Sequence, residues 1–93
     1  MIQVNTYFNG AVTSLALKNS DGKATVGVME PGTYEFGTNT KEHMRIVSGI
    51  LEVKLPNTQT WQKYYSGDSF EVASCSKFEV RCTHDVAYLC IYE

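Results

Sequence analysis

Short extended segments separated by turn-forming residues constrain the fold of this 93-residue chain more than any other feature. Apolar residues alternate with other residues in most segments, and no stretch repeats them at the roughly 3.6-residue period of a helix. Pairs such as Asn9-Gly10 and Pro31-Gly32 are turn signals that end one segment and begin the next. Such a chain is typical of an all-β sandwich or a closed β-barrel.

This pattern predicts about nine strands, over residues 11–17, 24–29, 33–37, 44–47, 50–55, 60–65, 70–73, 77–83 and 86–92. Ser48-Gly49 interrupts one long apolar run, and we expect a two-residue hairpin there because glycine tolerates positive φ. That hairpin would place Arg45 opposite Glu52. Residues 1–93 are expected to form a single domain, because the chain is too short for two.

The last predicted strand is apolar on both faces. One face carries Val86, Tyr88, Cys90 and Tyr92, and the other carries Ala87, Leu89 and Ile91. A small barrel covers only one face of its strands, so the second face is expected to be covered by another subunit. Twofold pairing is the commonest arrangement of identical chains, and we therefore expect a homodimer.

Composition and charge argue against several classes of partner. The net charge is −2 and the basic residues are dispersed, whereas nucleic-acid-binding proteins concentrate theirs on one face. No apolar run is long enough to cross a bilayer, and residues 1–7 lack the basic and apolar regions of a signal peptide. The three cysteines form no CxxC motif and are expected to be free thiols. We therefore expect a cytoplasmic protein that binds neither nucleic acid nor membrane.

Two segments resemble the two sequence motifs of the cupin family. Residues 31–53 resemble the first motif, in which two histidines precede a glutamate and a glycine, and Glu42 and Gly49 keep the last two positions. Phe36 and Thr38 occupy the histidine positions, and Phe78 occupies the histidine position of the second motif, at residues 67–78. The resemblance implies an all-β, cupin-type (RmlC-like) jelly-roll barrel. Because the three imidazole ligands are replaced, we expect no metal site.

A wider resemblance covers nearly the whole chain. The sequence is similar to the small pyrimidine/purine nucleoside phosphorylases in the segments YFNG (7–10), ATVGVM (24–29), GTYEF (32–36), VSG (47–49), LP (55–56), WQKY (61–64), FEV (70–72) and YLCIY (88–92). One departure is Ala73-Ser74-Cys75, where the family tends to have a Pro-Gly turn. The resemblance implies a pentosyltransferase. Such an enzyme uses inorganic phosphate to split ribonucleosides, of the adenosine, guanosine, inosine, uridine, cytidine and thymidine type, into free base and pentose 1-phosphate. This reaction requires no metal, and we expect no organic cofactor either.

Aromatic side chains suit so broad a set of substrates, because any base stacks on a ring with a gain of about 1–3 kcal/mol. Alternation places Tyr34, Phe36 and Thr38 on one inner face. We expect Phe78 to line the same cavity from the opposite sheet, with Tyr88 beside it. Phe36 and Phe78 would flank the base or ribose, and Tyr34 and Thr38 would form hydrogen bonds. The alternative is that these residues simply fill the core.

Phosphate recognition is less constrained by the sequence. Arg45, Arg81 and Ser48, which begins a turn with accessible backbone N–H groups, are the candidate phosphate-binding residues. Arg45 has the alternative role of an ion pair with Glu52, and Ser48 that of an ordinary turn residue. Glu42 is the candidate catalytic residue, either orienting ribose hydroxyls or relaying a proton, and its alternative is a solvated surface acid.

Three functions remain open at this point. The first is a metal-independent nucleoside phosphorylase, which rests on the family resemblance. The second is a cupin that binds a nucleoside or sugar without catalysis, which the residue pattern fits equally well. The third is a metal-dependent cupin enzyme, which the replaced histidines disfavour.

Overall fold

The computed structural model describes all 93 residues. Its ten strands are β1 (Val4–Tyr7), β2 (Val12–Asn19), β3 (Gly22–Met29), β4 (Gly32–Gly37), β5 (Glu42–Ser48), β6 (Leu51–Lys54), β7 (Gln62–Tyr64), β8 (Ser69–Val72), β9 (Lys77–Cys82) and β10 (Val86–Tyr92). Nine match predicted strands, and β1 is additional; none of its four residues is buried, so it has no apolar inner face for alternation to show. No helix has the length and hydropathy needed to span a membrane.

The strands form two antiparallel sheets that face each other. The larger sheet has six strands in the order β1-β2-β3-β10-β5-β8, and the smaller has four in the order β4-β9-β6-β7. From β3 onward every connection except that between β6 and β7 crosses from one sheet to the other. The sheets do not close into one hydrogen-bonded ring, so the expected barrel is a jelly-roll sandwich with open edges.

The predicted hairpin at Ser48-Gly49 is wrong. Strand β5 pairs with β10 and β8 in the larger sheet, whereas β6 pairs with β9 and β7 in the smaller one. Gly49 has φ 98° and packs so closely that an added Cβ would lie 2.8 Å from the carbonyl oxygen of Asp85. The positive φ of Gly49 therefore allows the chain to turn from one sheet into the other. Since β5 and β6 are not paired, Arg45 does not face Glu52.

The predicted position of Phe78 on the sheet opposite Phe36 is also wrong. Strands β4 and β9 are neighbours in the smaller sheet, where Phe36 and Phe78 are direct Cα partners. Side chains of direct partners on adjacent strands lie close enough to contact each other, so the two rings are neighbours on the same sheet. The pair therefore forms one continuous aromatic surface on the inner face.

Apolar side chains on the inner faces of both sheets form the core. Ile46, Leu51, Val53 and Val80 have no exposed surface, and burying a side chain of this size contributes about 1.5–3 kcal/mol. Ile46, Leu51 and Val53 do not line the pocket described below. The core thus holds the sheets together while part of the interior stays open.

The outer face of the larger sheet is apolar and open to solvent. Val26 and Val28 are 41% and 50% exposed on β3, and Val47 is 56% exposed on β5. Leu89 and Ile91 lie half-buried on β10, which runs between these strands. That a second subunit covers this face stays a prediction.

Candidate functional site

A pocket of about 290 Å³ opens between the inner faces of the two sheets. It is close to the lower limit of about 300 Å³ for small-molecule sites. Its lining is mostly hydrophobic and consists of Tyr7, Phe8, Ser14, Thr25, Met29, Glu35, Phe36, Gly37, Glu42, Met44, Phe78, Val80, Tyr88, Cys90 and Tyr92. The size and lining suit one small organic molecule that has both apolar and polar parts.

Phe36 is the centre of an aromatic cluster formed by Tyr7, Phe8, Phe36 and Phe78. Its ring centroid lies 5.9 Å from that of Phe78, 5.6 Å from that of Phe8 and 6.2 Å from that of Tyr7. The contacts with Tyr7 and Phe8 are edge-to-face. Tyr7 and Phe8 are 45% and 47% exposed, so the cluster runs from the interior to solvent. It therefore places aromatic rings both in the interior of the pocket and at its exposed side.

The turn after β1 positions Phe8 at the pocket. Phe8, Asn9 and Gly10 have φ values of 53°, 58° and 90°. This left-handed region costs a non-glycine residue about 1–2 kcal/mol, and asparagine tolerates it better than phenylalanine does. Strained backbone of this kind clusters at functional sites. Sequence reasoning missed Tyr7 and Phe8 as site residues, because the Asn9-Gly10 signal was interpreted only as the start of the next strand.

Polar side chains on the larger sheet form a second wall of the pocket, which we call the polar wall: Thr25, Glu42, Tyr88, Cys90 and Tyr92. The Thr25 and Tyr92 hydroxyl oxygens are 3.1 Å apart. The Cys90 thiol donates a hydrogen bond to Oε1 of Glu42 at 3.4 Å. Because a thiol is a weak donor, the carboxylate keeps most of its acceptor capacity for a ligand.

Burial keeps the phenol and thiol groups of the polar wall neutral. Desolvation raises the pKa of Tyr88 and that of Cys90 to about 12 each, and it also raises the pKa of Tyr92. Desolvation likewise raises the pKa of Glu42, and the hydrogen bond from Cys90 partly opposes that rise. At neutral pH the wall therefore presents hydroxyl donors next to one carboxyl group.

Gly27 fixes the position of the Tyr88 ring. The two residues are Cα partners on β3 and β10. An added Cβ on Gly27 would lie 2.5 Å from both Cζ and the hydroxyl oxygen of Tyr88, so the ring occupies the space that a side chain would take. Tyr88 is only 7% exposed, and this close backbone contact holds it in the polar wall.

Four predicted site residues line this pocket: Glu42, Phe36, Phe78 and Tyr88. Glu42 is half-buried rather than solvated, and it contacts Cys90, which sequence reasoning did not select. The alternation of β10 carried a signal for this contact, because Cys90 shares the inner face with Tyr88.

Tyr34 and Thr38 are buried on the inner face as expected, but they do not line the pocket. The Tyr34 hydroxyl donates a hydrogen bond to the Glu30 carbonyl at 2.7 Å. The Thr38 hydroxyl donates to the Ala73 carbonyl at 2.7 Å and accepts from the Ser76 N–H at 3.0 Å. Because these polar atoms are satisfied within the protein, we interpret both residues as structural.

The three predicted phosphate-binding residues lie outside the pocket. Arg45 and Ser48 are exposed on β5. Arg81 uses Nε and Nη2, each 2.7 Å from Oε2 of Glu52, and its Cζ lies 4.0 Å from the centroid of the Trp61 ring. The structure therefore does not bring these residues together with the aromatic cluster in one subunit.

Neither a cation nor a metal-binding set is present in the pocket. Glu35 and Glu42 are its charged lining residues, and no Lys, Arg or His lines it. No group of three or more His, Cys, Asp or Glu side chains is close enough to hold an ion. Glu42 and Cys90 supply two donors, which does not fit the histidine-rich metal site of cupin enzymes.

Comparisons with known proteins bear on both the family and the fold of this chain. The sequence model of a family described as pyrimidine/purine nucleoside phosphorylase matches residues 2–92. A protein of that name from Pseudomonas putida (strain GB-1) is 54% identical over 92 residues, which are 99% of this chain and 98% of the relative. A crystal structure of a protein of unknown function from Vibrio parahaemolyticus has a TM-score of 0.96 and 43% identity, and covers 100% of this chain and 99% of its own.

A more distant structure confirms the predicted fold class. An RmlC-like cupin from Shewanella frigidimarina has a TM-score of 0.75 and 15% identity, over 97% of this chain and 81% of its own. At this identity the likeness speaks for the fold alone, and it confirms the cupin jelly roll. The family match also confirms the resemblance seen in the sequence. This chain belongs to the pyrimidine/purine nucleoside phosphorylase family.

Proposed function

We propose that this protein is a pentosyltransferase of broad specificity. In this proposal it splits purine and pyrimidine ribonucleosides with inorganic phosphate, giving free base and pentose 1-phosphate, without a metal or organic cofactor. One observation carries the proposal: in a chain of this family, phenylalanines at two cupin metal-ligand positions, Phe36 and Phe78, form a stacking surface inside the pocket.

The aromatic cluster explains breadth of base recognition. Stacking depends on the π-face that every base has, whereas hydrogen-bond recognition would select one base edge. Phe36 and Phe78 are tilted by 34° to each other, and Phe8 stands edge-on to Phe36. A planar ring of either purine or pyrimidine size can lie against such a surface. We therefore assign base binding to Phe8, Phe36 and Phe78.

The polar wall suits the sugar. Glu42 accepts only a thiol hydrogen bond within the protein, so its oxygens are available to ribose hydroxyl donors. Phosphorolysis passes through an oxocarbenium-like state, as glycoside hydrolysis does, and an ionised carboxylate stabilises the positive charge that develops on the sugar. Tyr88 lines the same wall as a neutral donor. We assign Glu42 as the catalytic residue and Tyr88 as a sugar-binding residue.

The proposed assembly is a homodimer in the cytoplasm. The apolar outer face of the larger sheet, with Val26, Val28 and Val47 exposed, is the surface that a second copy would cover. Cys75, Cys82 and Cys90 are free thiols, which suits a reducing compartment. Size-exclusion chromatography with light scattering tests the dimer, and a monomer at micromolar concentration would contradict it.

The catalytic proposal is tested by incubating the purified protein with adenosine and, separately, with uridine, in the presence and absence of phosphate. Release of free base that requires phosphate is the expected result. Saturable nucleoside binding in a calorimeter without any base release would instead favour the alternative, a non-catalytic nucleoside- or sugar-binding cupin. The Glu42→Gln variant is the matched control, because it keeps the shape of the side chain and removes its charge.

A further inference from the structure

The pocket has no positively charged group to hold the phosphate that the proposed function requires. Its charged lining residues, Glu35 and Glu42, are both acidic. A phosphate dianion placed among two carboxylates would be repelled, and its desolvation would be uncompensated. Cations at the margin of the pocket are therefore the candidates to hold the anion.

A second, more open cavity, of about 570 Å³, lies beside the hairpin that joins β2 and β3 and shares two residues with the pocket, Thr25 and Tyr92. The contact of 3.1 Å between their hydroxyls therefore lies between the two spaces. Lys18 and Lys23 line the second cavity. The pocket and a basic cavity thus share Thr25 and Tyr92 as a common border.

The strand register places these lysines in one row with the polar wall. Lys18 is the direct Cα partner of Lys23, and Tyr92 is that of Glu42. Tyr92 follows Ile91, whose partner on β3 is Ala24, so Tyr92 lies beside Lys23 in the sheet. Two strand spacings, about 10 Å, therefore separate the backbones of Lys23 and Glu42. Lys23 also shares the inner face with Thr25, because alternate residues of a strand point the same way.

The two ammonium groups have no counter-charge in the protein. Every salt bridge in the structure involves other cations, namely Lys41, His43, Lys54 and Arg81. Like charges placed directly opposite each other on neighbouring strands destabilise a sheet. A dianion between Lys18 and Lys23 would turn this repulsion into two charge-assisted interactions.

We propose that inorganic phosphate binds between the ammonium groups of Lys18 and Lys23, and that it reaches the nucleoside by displacing the Thr25–Tyr92 contact. This inference rests on the proposed function. A phosphate oxygen forms the new bond to C1′ of the ribose, and the C1′–N bond breaks with its electron pair moving to the base. The proton of the hydrogen phosphate ends on the departing base, so the products are pentose 1-phosphate and neutral base. The nucleoside lies against the aromatic cluster, and phosphate approaches from the opposite, basic side.

The test compares Lys18→Ala/Lys23→Ala with the wild type. The expected result is a rise of about tenfold or more in the KM for phosphate, with the KM for adenosine and uridine changed less than twofold. Direct titration with inorganic phosphate, followed by calorimetry or ³¹P NMR, should show the same loss of affinity without turnover. Lys18→Arg/Lys23→Arg should keep phosphate binding within about threefold, because the charges remain.

Lys63→Ala is the matched control, since Lys63 is exposed on β7 of the smaller sheet and should leave both KM values unchanged. An active wild type together with an unchanged phosphate KM in the double alanine variant would overturn the inference while leaving the proposed function intact. A wild type that releases no base would contradict the proposed function. The phosphate titration would still decide the binding site in that case, and equal affinity of wild type and double variant would refute it.

Discussion

Replacing Phe36 tests whether stacking on the aromatic cluster determines substrate binding. Phe36→Ala removes the ring that contacts Phe78 at 5.9 Å and Phe8 at 5.6 Å. Base–aromatic stacking contributes about 1–3 kcal/mol, which corresponds to roughly 5- to 150-fold in kcat/KM. Since the lost surface is common to all bases, kcat/KM for adenosine, inosine, uridine and cytidine should fall by similar factors.

The same substitution also affects stability, so a second variant is needed. Phe36 is half-buried and packs against the core, and truncating a buried phenylalanine to alanine costs about 3–5 kcal/mol. Phe36→Leu keeps most of the apolar volume and should cost less than about 1.5 kcal/mol, but it removes the π-face. We expect the leucine variant to fold at 25 °C and to lose activity on all four nucleosides in parallel.

Steady-state kinetics on the four nucleosides, together with thermal unfolding of both variants, provides the measurement. A loss confined to one base would refute stacking as the mode of recognition. Unchanged kinetics in a folded Phe36→Leu variant would refute the assignment of Phe36 to the binding surface.

Three further substitutions test the polar wall, the glycine behind Tyr88 and a buried residue that we interpret as structural. Glu42→Gln should lower kcat by about 100-fold or more. It should also abolish the fall of kcat at acid pH. In the wild type this fall should be centred above the usual glutamate pKa, because burial raises the pKa of Glu42. Because the pKa of Glu42 is higher in the folded than in the unfolded state, its contribution to stability is present in full below the unfolded pKa. That contribution is lost as the pH rises through the folded-state pKa. Glu42→Gln should therefore raise Tm at neutral pH and leave it unchanged at pH 3. Gly27→Ala should lower both Tm and kcat because its Cβ would displace the Tyr88 ring, and Gly27→Ala/Tyr88→Leu should recover Tm but not kcat. Thr38→Val should destabilise the fold by about 1–3 kcal/mol, measured by chemical denaturation, without changing the KM for nucleosides.

The local alternation of residues predicted most of the fold but only three of the fifteen residues that line the pocket. It placed Phe36 and Phe78 on inner faces and Tyr88 on the inner face of β10, and all three line the pocket. It also placed Tyr34 and Thr38 correctly on the inner face, but it did not show that they lie outside the pocket. Periodicity identifies the face of a strand and not which part of that face lines a cavity. The Tyr34 hydroxyl donates to the carbonyl of Glu30, and the Thr38 hydroxyl donates to that of Ala73. Ala73 lies 35 residues from Thr38, so no local sequence pattern indicates this contact.

Contacts between distant segments could not be predicted from the sequence. A glycine with positive φ serves a hairpin and a corner between sheets equally well, so Ser48-Gly49 gave no means of choosing between them. The partner of Glu52 is Arg81, 29 residues away, rather than Arg45. In the sequence Lys18 and Lys23 are indistinguishable from other dispersed surface lysines, and only the register of β2, β3 and β10 places them beside the polar wall.

Phosphorus NMR on chelator-treated protein, supplied in turn with adenosine and uridine, tests the central claim most directly. The account predicts that both nucleosides consume inorganic phosphate and give the same pentose 1-phosphate signal, one equivalent per free base released. Folded protein that forms no sugar phosphate from either nucleoside, or forms it only after a transition metal is added back, would contradict the account.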